Sequence, residues 1–550
     1  MERPRLCLVN APRVLARAFA DLGCAIVADL TPDGGDLDVA EALGGQEPGL
    51  LVQVETLGSR VLLRGLGGLS CRKVFWALDP HLNGYWQAAY GRLFDLVLST
   101  QTKWNTDLSA LGQKAVRHLP FFGAELPWTP WERRSREIAF VGRVTAQRPA
   151  RRWLLDFLER RYGPRLSAAS DLTYPEMIAF YRDSRFAPNE SITGEINFRL
   201  FEAASAGCLV LGQDIGPEQD ALFEPGREIE VCAHVAELAA VLDSLLKNPR
   251  AARTKALAAR ERVLREHLPA HRAARLLELA ASCGDNAARG PEADAWFGLS
   301  QFLLWEAGRL PMRPESMAGL LDSLPPWPPM LAARLRFPAQ AGDRDEEALA
   351  ALAAVLAGNV HAGDADVDLA GSMAALRLSR FDLARQFWFR HLKTLPRPAK
   401  ALLEPPADPA HLCALWARVP RRGLPPLRAG FPFDLERHLP TRSAECLFLA
   451  LRLRPGDMDL TRALEALLEP CPGLETMRLG LLSELTLRAR TDWRLGLAAG
   501  LADLKCFRLE PGLDEIALAL ENARNQGQEA AFRRALEARD PRGLVSRSLF

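Results

Sequence analysis

Short apolar runs that alternate with helical patterns occupy residues 5 to about 285, and they restrict the possible folds more than any other feature. Runs of this kind are typical of strands in parallel sheets that helices cover on both faces. Helical patterns fit between them, for example at 11–22 and at 103–112, which ends at Gly112. The alternation predicts an α/β architecture. The predicted strands are LCLVN (6–10), CAIVADL (24–30), LLVQVE (50–55), KVFWALD (73–79), LFDLVLST (93–100), EIAFVG (137–142), RFAPN (185–189), CLVLG (208–212) and EIEVC (228–232).

A segment with several prolines and tryptophans interrupts the alternation at residues 125–137. The strand pattern then restarts, so this segment is predicted to link two successive α/β units. We expect one domain over residues 1–128 and a second over residues 129–284. Ligands of open α/β sheets bind at the carboxyl ends of the strands, and a cleft between two such domains is therefore the expected site.

The strand signal disappears after about residue 285, where Ala, Leu and Arg dominate with helical periodicity. Residues 379–396 resemble the second helix of a tetratricopeptide repeat, but the copies do not follow the regular 34-residue period. An irregular helical bundle is an equal alternative. Either interpretation predicts an α-helical packing or docking domain over residues 285–550. The recurring feature is an Ala or Ser twelve residues before a Pro that closes a helix, at Ala384/Pro396, Ser443/Pro455 and Ala499/Pro511.

The composition argues against partners that are recognised mainly by charge. The 550 residues carry a formal net charge of +1, so neither nucleic acid nor an anionic membrane is expected as a main partner. No apolar stretch approaches the roughly 18 residues that span a bilayer, and the run near the N-terminus is interpreted as a strand. Ten scattered cysteines without a C-x-x-C pair predict reduced thiols and a cytoplasmic location. Nine histidines without ligand spacing predict no metal site.

The segment NESITGEINFRLFEAASAGCLVLGQD, residues 189–214, is the most informative part of the chain. Its loop leads into a helix predicted to begin near residues 195–197 and to end at Gly207. The start of a helix is a ready site for an anion, because free N–H groups and the helix dipole point at the ligand. Glu202, about two turns into the helix, can accept hydrogen bonds from a ribose diol. Taken alone, this arrangement is common in α/β proteins.

Several segments in the right order resemble the second domain of GT-B glycosyltransferases, specifically the group-1, CgeB-like branch. Residues 73–101 resemble the acceptor-side domain of the same group. The resemblance implies an α/β fold of two Rossmann-like domains, followed here by the all-α helical domain. The segments that carry it are FVGRVTAQRPARR (140–152), FYRDSRFAPNESI (180–192), RLFEAASAGCLVL (199–211), LFEPGREIEV (222–231) and REHLPAHRAARLLEL (265–279).

The resemblance also implies an activity. An enzyme of this group transfers a hexose-type sugar from a nucleotide-diphosphate donor to a hydroxyl of a glycan or protein acceptor. It generally needs no bound metal, and the nucleotide sugar serves as co-substrate without a further cofactor. Related enzymes mostly retain the anomeric configuration. Two other functions fit the sequence: a catalytically inactive sugar-nucleotide-binding scaffold that acts through its helical tail, and a GT-B sugar-nucleotide epimerase.

Carried over by position, Glu202 is the second acid of the E-x7-E pattern and holds the ribose. The first acid falls at Gly194, so either Glu195 serves one residue later or Asn197 and backbone groups replace it. Arg143 and Arg148 are candidates to neutralise the diphosphate, since fixed cations stabilise a leaving group that gains negative charge. Their alternatives are a carboxylate partner for Arg143 and a solvated face for Arg148. The predicted donor-binding set is Gly142, Arg143, Arg148, Asn189, Glu195, Asn197, Arg199 and Glu202.

Asp79 and His81 follow the predicted strand at 73–79 and are the candidate catalytic residues. A carboxylate or an imidazole there can orient or deprotonate an acceptor hydroxyl. The alternative is structural, because Asp79-Pro80 is a good turn starter and His81 can cap the next helix. Glu55 is a weaker candidate of the same kind. The helical tail is predicted to recruit the acceptor, so that deleting residues 290–550 spares donor hydrolysis and abolishes transfer.

Overall fold

The computed structural model describes residues 3–56, 58–146, 148–342, 344–419 and 423–550. The chain divides into two compact units, one formed by Met1–Pro120 with Ala273–Leu467 and the other by Phe121–Arg272 with Leu468–Phe550. This division differs from the consecutive segments predicted at 1–128, 129–284 and 285–550. The physical reason is that tail residues within 288–337 and 493–545 are buried in the cores of the α/β units.

The first unit contains a six-stranded parallel sheet in the order β2-β1-β4-β6-β7-β8 and a parallel pair, β3-β5. Its strands are β1 Arg5–Val9, β2 Ala25–Leu30, β3 Gly35–Asp38, β4 Leu50–Val54, β5 Val61–Arg64, β6 Arg72–Ala77, β7 Leu96–Ser99 and β8 Val116–His118. The five strands predicted here are confirmed. Its helices before the tail are α1 Arg13–Asp21, α2 Val39–Leu43, α3 Pro80–Tyr90 and α4 Asn105–Ser109. The helix predicted at 103–112 is shorter than expected, because a 3-10 turn over Thr102–Trp104 precedes α4.

The second unit contains a five-stranded parallel sheet in the order β10-β9-β11-β12-β13. Its strands are β9 Arg136–Val141, β10 Leu166–Ala169, β11 Ser184–Asn189, β12 Leu209–Gln213 and β13 Glu230–Cys232. Its helices are α5 Pro149–Tyr162, α6 Tyr174–Arg182, α7 Phe198–Ser205, α8 Pro217–Leu222, α9 Val235–Lys247 and α10 Pro249–Glu266, and α11 Pro269–Ser282 follows. Two parallel α/β sheets followed by an all-α region confirm the predicted fold class.

The remaining helices of the described chain make up the tail. Helices α12 to α21 belong chiefly to the first unit, and α22 to α26 belong to the second. Their bounds are α12 Gly290–Glu306, α13 Pro314–Ser323, α14 Pro328–Arg336, α15 Pro338–Ala341, α16 Asp345–Ala357, α17 Ala365–Arg377, α18 Phe381–Thr394, α19 Pro409–Ala417, α20 Ser443–Leu453, α21 Met458–Leu468, α22 Glu475–Arg488, α23 Trp493–Lys505, α24 Leu509–Asn525, α25 Glu529–Glu537 and α26 Leu544–Leu549.

Helices α12 to α14 and α23 to α26 of the tail are part of the two α/β cores. In the first unit, Trp296 and Phe302 of α12 are buried in the same cluster as Tyr90 of α3. In the second unit, Trp493 of α23 is buried in the same cluster as Phe157 of α5. Burial of a large apolar side chain stabilises a fold by about 1.5–3 kcal/mol. Each sheet domain therefore depends on tail helices for a substantial part of its stability.

The proline pattern of the tail is only partly as predicted. Helices α18 and α20 end just before Pro396 and Pro455, as expected. In the third copy α23 has already ended at Lys505, and Pro511 lies in the first turn of α24. The relation to tetratricopeptide repeats stays a prediction.

All ten cysteines lie in the described ranges; eight are buried, and none forms a disulfide. Among the described residues, no helix is long and apolar enough to cross a membrane.

Candidate functional site

The loop between β11 and α7 leads into the predicted anion site of the second unit. The side chain of Asn197 accepts a hydrogen bond from the N–H of Leu200 at 3.3 Å, which caps α7. Asn197 Nδ2 also donates to the carbonyl of Glu190 at 3.2 Å. An Asn at this position satisfies one of the free donors of the first helical turn. The predicted helix start is thus correct, and Asn197 acts as its cap.

The carboxylate of Glu195 is committed to its own loop. It accepts hydrogen bonds from Ser191 Oγ at 2.8 Å, from the N–H of Ile192 at 2.9 Å and from the N–H of Thr193 at 2.7 Å. Glu195 is only 3% exposed. Gly194 has a φ of +75°, a backbone conformation that glycine adopts without steric cost. A role for Glu195 on the donor sugar would require it to release these bonds.

Three predicted residues come together at the carboxyl ends of β9 and β11. Arg199 Nε donates to the carbonyl of Val141 at 3.1 Å, and its Nη1 donates to Asn189 Oδ1 at 3.0 Å. The guanidinium lies 4.9 Å from the ring centroid of Phe140. A Cβ added at Gly142 would lie 2.9 Å from Arg199 Nη2, so glycine lets the guanidinium approach the strand end without shifting. Arg199 therefore ties two adjacent strand ends together.

A buried ion pair that the sequence did not reveal supports the same edge of the sheet. Arg151 Nη2 lies 2.6 Å from Glu190 Oε2, and the two side chains are 5% and 2% exposed. Arg151 Nη1 also donates to the carbonyl of Arg143 at 3.0 Å. The pair fixes the start of the β11–α7 loop against α5. In the sequence, Arg151 is one of several arginines in α5, and no spacing connects it to Glu190.

The two arginines predicted to bind the diphosphate have different surroundings. Arg143 Nε lies 2.5 Å from Asp171 Oδ1, and both side chains are well exposed. The structure therefore shows the alternative, a carboxylate partner for Arg143. Arg148 is half-buried and directly precedes α5. In the described part of the chain its guanidinium makes no ion pair, which leaves Arg148 available to an anion.

Glu202 is half-buried on α7. Burial raises the pKa of its carboxyl to about 7, and the charge of Arg199 opposes this rise. No hydrogen bond or ion pair engages this carboxyl within the described ranges. Tyr174, at the start of α6, lies nearby. Partial burial of its hydroxyl raises its pKa, and the charge of Glu202 raises it further. Tyr174 was not predicted, because an aromatic residue at a helix start carries no functional signal by itself.

The candidate catalytic residues of the first unit lie at the start of α3. Glu55 accepts hydrogen bonds from the N–H of Leu78 at 2.7 Å, from the N–H of Asp79 at 2.9 Å and from Asn83 Nδ2 at 2.7 Å. Burial raises the pKa of Glu55, and these bonds oppose the rise. Glu55 thus positions the turn that carries Asp79. The Asp79 side chain makes no capping bond to α3.

His81 lies inside the first turn of α3, so it is not the helix cap that the alternative suggested. It is 4% exposed, and its Nδ1 has no hydrogen-bond partner among the described residues. A tail segment lies against the same turn: the carbonyl of Ala429 accepts from the N–H of Tyr85 at 3.4 Å, and Gly430 touches the backbone of Leu82. An acid–base role for His81 requires that an acceptor can reach its imidazole. The packing of the tail segment against this turn restricts that access.

Part of the chain that contains this site matches a known protein family. Residues 129–278 match the model of a family described as Glycosyl transferase-like. This segment is similar to that family, and we refer to it below as the glycosyl transferase-like domain. It contains β9 to β13 and every residue of the predicted donor-binding set. No curated protein matches the chain by sequence.

Solved structures are similar to part of this chain at low sequence identity. TarM is 10% identical over 42% of this chain and 55% of its own, with a TM-score of 0.34. A sucrose-phosphate synthase from Thermosynechococcus elongatus is 14% identical over 51% and 98%, with a TM-score of 0.37. Anabaena Alr3699/HepE in complex with UDP-glucose is 12% identical over 51% and 100%, with a TM-score of 0.37. The chain thus spans little more than half the length of TarM.

A second polar cluster joins the glycosyl transferase-like domain to the tail of the same unit. The buried side chains of His234, Glu237 and Asp540 offer nitrogen and oxygen atoms within 4.8 Å of one another. His234 Nδ1 accepts the N–H of Glu237 at 3.4 Å, which assigns the ring proton to Nε2, 3.7 Å from Asp540 Oδ1. A protonated ring nitrogen has no lone pair for a cation. We therefore interpret the cluster as an imidazole–carboxylate contact that holds the tail.

Proposed function

We propose that the protein transfers a hexose-type sugar from a nucleotide-diphosphate donor to a hydroxyl of a glycan or protein acceptor. The observation that carries the proposal is Glu202, a half-buried carboxyl that makes no hydrogen bond or ion pair in the described chain and that feels the charge of Arg199, which joins two strand ends. A buried polar group without a partner is costly unless a ligand satisfies it. The match of residues 129–278 to a glycosyl transferase-like family supports the same function.

The residues divide into ligand-binding and supporting roles under this proposal. Glu202 accepts hydrogen bonds from the ribose hydroxyls, and Arg148 with the N-terminus of α7 receives the diphosphate. Arg199, Asn197 and Glu195 hold the loop through the bonds described above. No metal or further cofactor is required, because a fixed cation and helix N–H groups can stabilise the leaving diphosphate. Asp79 is the proposed contact to the acceptor hydroxyl.

The finer features of the reaction are also proposals. Retention of the anomeric configuration follows from the resemblance to E-x7-E enzymes, although Gly194 occupies the position of the first acid. We also propose that the acceptor docks on the helical tail, because the tail makes up nearly half of the chain. A cytoplasmic location is supported by the eight buried thiols, since free cysteines persist in reducing compartments.

The nucleotide site is tested by thermal unfolding in the presence of UDP, GDP, CDP, dTDP or ADP. A ligand at a hundred times its dissociation constant stabilises the native state by about 2.7 kcal/mol. We expect one nucleotide to raise the unfolding temperature of the wild type, with and without EDTA, and to have no effect on Glu202→Ala. Arg143→Ala, which removes an exposed residue already paired with Asp171, is the matched control and should keep the response. No response of the wild type to any of the five would contradict the proposal.

Donor affinity is expected to increase with pH near neutrality. With a pKa of about 7 for Glu202, the ionised fraction rises from about one tenth at pH 6 to about nine tenths at pH 8. An ionised carboxylate is the better acceptor for a ribose diol. We therefore predict an affinity about tenfold higher at pH 8, measured by calorimetry with a nucleotide sugar, whose diphosphate does not titrate in this range. Glu202→Gln should bind weakly and show no such slope.

The raised pKa of Glu202 makes the stability of the ligand-free protein fall with pH, whereas donor affinity rises with pH. The folded pKa of about 7 lies above the ordinary value of 4.5, so the native state binds this proton more tightly than the unfolded chain does. The resulting stabilisation is complete below pH 4.5 and is lost as the pH rises through 7. Binding must therefore be measured directly at each pH, because shifts of the unfolding temperature combine both effects.

An inactive nucleotide-sugar-binding scaffold is the second candidate. The commitment of Glu195 to its own loop favours it, because the nearest carboxylate to the first-acid position is already bound. This candidate predicts nucleotide binding without donor hydrolysis or transfer. Release of free nucleotide diphosphate from the matching nucleotide sugar, above the level of Glu202→Ala, would rule it out.

A further inference from the structure

A loop of the helical tail touches the backbone of the β11–α7 loop. Gly473 lies in the 469–474 loop, between α21 and α22. A Cβ added there would lie 2.1 Å from Thr193 Cα, 2.4 Å from the Thr193 carbonyl carbon and 2.9 Å from the N of Gly194. Real Cβ atoms essentially never approach other atoms closer than 3.0 Å, so the two backbones meet at a distance that only glycine permits. Both segments belong to the second compact unit.

The 469–474 loop is built to resist displacement. Pro470 and Pro472 both precede Gly473, and proline fixes its own φ near −65° and restricts the residue before it. The N–H of Cys471 donates to the carbonyl of Leu468 at 3.0 Å, which continues the end of α21 into the loop. The packed helix α22 begins immediately after Leu474. A stiff loop transmits a steric conflict to its neighbour, because it cannot bend away.

The segment under Gly473 is also held from other sides. Glu195 accepts the N–H groups of Ile192 and Thr193, and Gln213 Oε1 accepts the N–H of Ser191 at 2.9 Å. Three residues after Gly194, Asn197 caps α7, the helix that carries Glu202. The position of Thr193–Gly194 therefore influences the first turn of α7 and the loop before it, where the proposed diphosphate site lies.

We propose that Gly473 is a positioning residue for the donor: the 469–474 loop holds Thr193–Gly194, and through them the start of α7, in the geometry that binds a nucleotide sugar. The inference rests on the proposed function, because it assumes that the β11–α7 loop faces the donor. It assigns to the tail a direct part in donor affinity, in addition to packing. Binding sites need their contact groups held to within about 0.5 Å. A Cβ at Gly473 would lie 2.1 Å from Thr193 Cα, 0.9 Å short of the 3.0 Å limit, so the shift needed to relieve the conflict exceeds this tolerance.

The test is the nucleotide affinity of the full-length Gly473→Ala variant, measured by calorimetry with the base selected in the thermal-unfolding panel. We expect the dissociation constant to rise at least about tenfold, which corresponds to about 1.4 kcal/mol. Hydrogen exchange of the peptide spanning residues 190–197 should become faster, because the N–H bonds to Glu195 are disturbed. If Gly473→Ala is insoluble, Pro472→Gly loosens the loop without adding atoms, and a smaller rise in the same direction is expected.

Two glycine variants in the tail of the same unit separate positioning from general damage. Gly527→Ala has the same left-handed backbone, with φ +67°, but open space around the added Cβ, and it controls for backbone strain. Gly500→Ala places its Cβ 2.5 Å from Ile516 and controls for a steric conflict between α23 and α24. Both should lower the unfolding temperature and leave the dissociation constant unchanged.

The outcomes distinguish the two proposals. If the wild type binds none of the five nucleotides, the donor site is refuted and the positioning inference falls with it. If the wild type binds and Gly473→Ala binds equally well, only the positioning inference is overturned. An equal loss of affinity in Gly500→Ala would also overturn it, since the effect would then report tail stability alone.

Discussion

A chain that ends at Leu467 is expected to lose the folded second unit and all nucleotide binding. The missing segment supplies α22 to α26, and its side chains fill the cluster that also contains Phe157 of α5 and Leu242 of α9. Several apolar side chains at about 1.5–3 kcal/mol each exceed the total stability of about 5–15 kcal/mol of a typical domain. The buried tail residues of this cluster are Trp493, Leu497, Leu501, Leu504, Phe507, Ile516, Ala519, Leu520, Ala523, Phe532, Leu536 and Val545.

The measurement compares soluble yield, circular dichroism and nucleotide-dependent unfolding of the full chain and of residues 1–467. A chain that ends at Gly543 is the control, because it removes only α26, a helix with a single buried residue, Val545. The control should stay folded and bind nucleotide. A soluble 1–467 chain with the affinity of the full protein would contradict the structural role of the tail.

This expectation revises the hypothesis drawn from the sequence about the tail. Deletion of residues 290–550 was expected to spare donor hydrolysis, which requires sheet domains that fold alone. Trp296 and Phe302 of α12 and the α23 side chains lie in the sheet-domain cores. The deletion is now expected to unfold both units, so it cannot test acceptor recruitment. The amphipathic pattern of the tail predicts that each helix buries a face, but not which surface covers that face.

Most of the strands that the sequence predicts are buried and apolar, although β2 is a partly exposed edge strand and the buried β5 was missed. β4 and β6 lie in the interior of a parallel sheet, which demands a continuous apolar run in each. β3, β8 and β10 have the sequences GDLD, VRH and LSAA, and they are short and partly exposed. Such segments become strands only because a neighbouring strand offers hydrogen bonds, and this information is absent from the local sequence.

The candidate site was predictable to a similar degree. The helix start near Asn197 follows from a residue type that suits a cap, whereas the sequence placed Gly142 and Arg199 in one site without predicting that they touch. The roles of Glu195 and Arg143 depend on which partner lies within reach. Glu195 binds its own loop, and Arg143 binds Asp171, which is 28 residues away. The sequence shows which side chains are charged, but only the fold determines which partner each of them contacts.

The buried pair of Arg151 and Glu190 gives the second large effect. Glu190→Ala is expected to destabilise the protein by about 3–5 kcal/mol, because it leaves the Arg151 guanidinium buried without its counter-charge. Nucleotide affinity should fall as well, since Glu190 begins the loop that leads to α7. Replacing both residues by Met removes both charges, and we expect stability to recover to within about 1–2 kcal/mol of the wild type.

The measurement is urea denaturation followed by tryptophan fluorescence for Glu190→Ala, the double Met variant and Arg143→Ala. The exposed Arg143–Asp171 pair is the matched control, and its loss should leave the denaturation midpoint unchanged. Nucleotide binding in the double variant then separates two roles of the buried pair. Recovered stability with weak binding means that the charges orient the β11–α7 loop for the donor. A Glu190→Ala variant as stable as the wild type would show instead that Arg151 reaches water, and that the pair does not hold the loop.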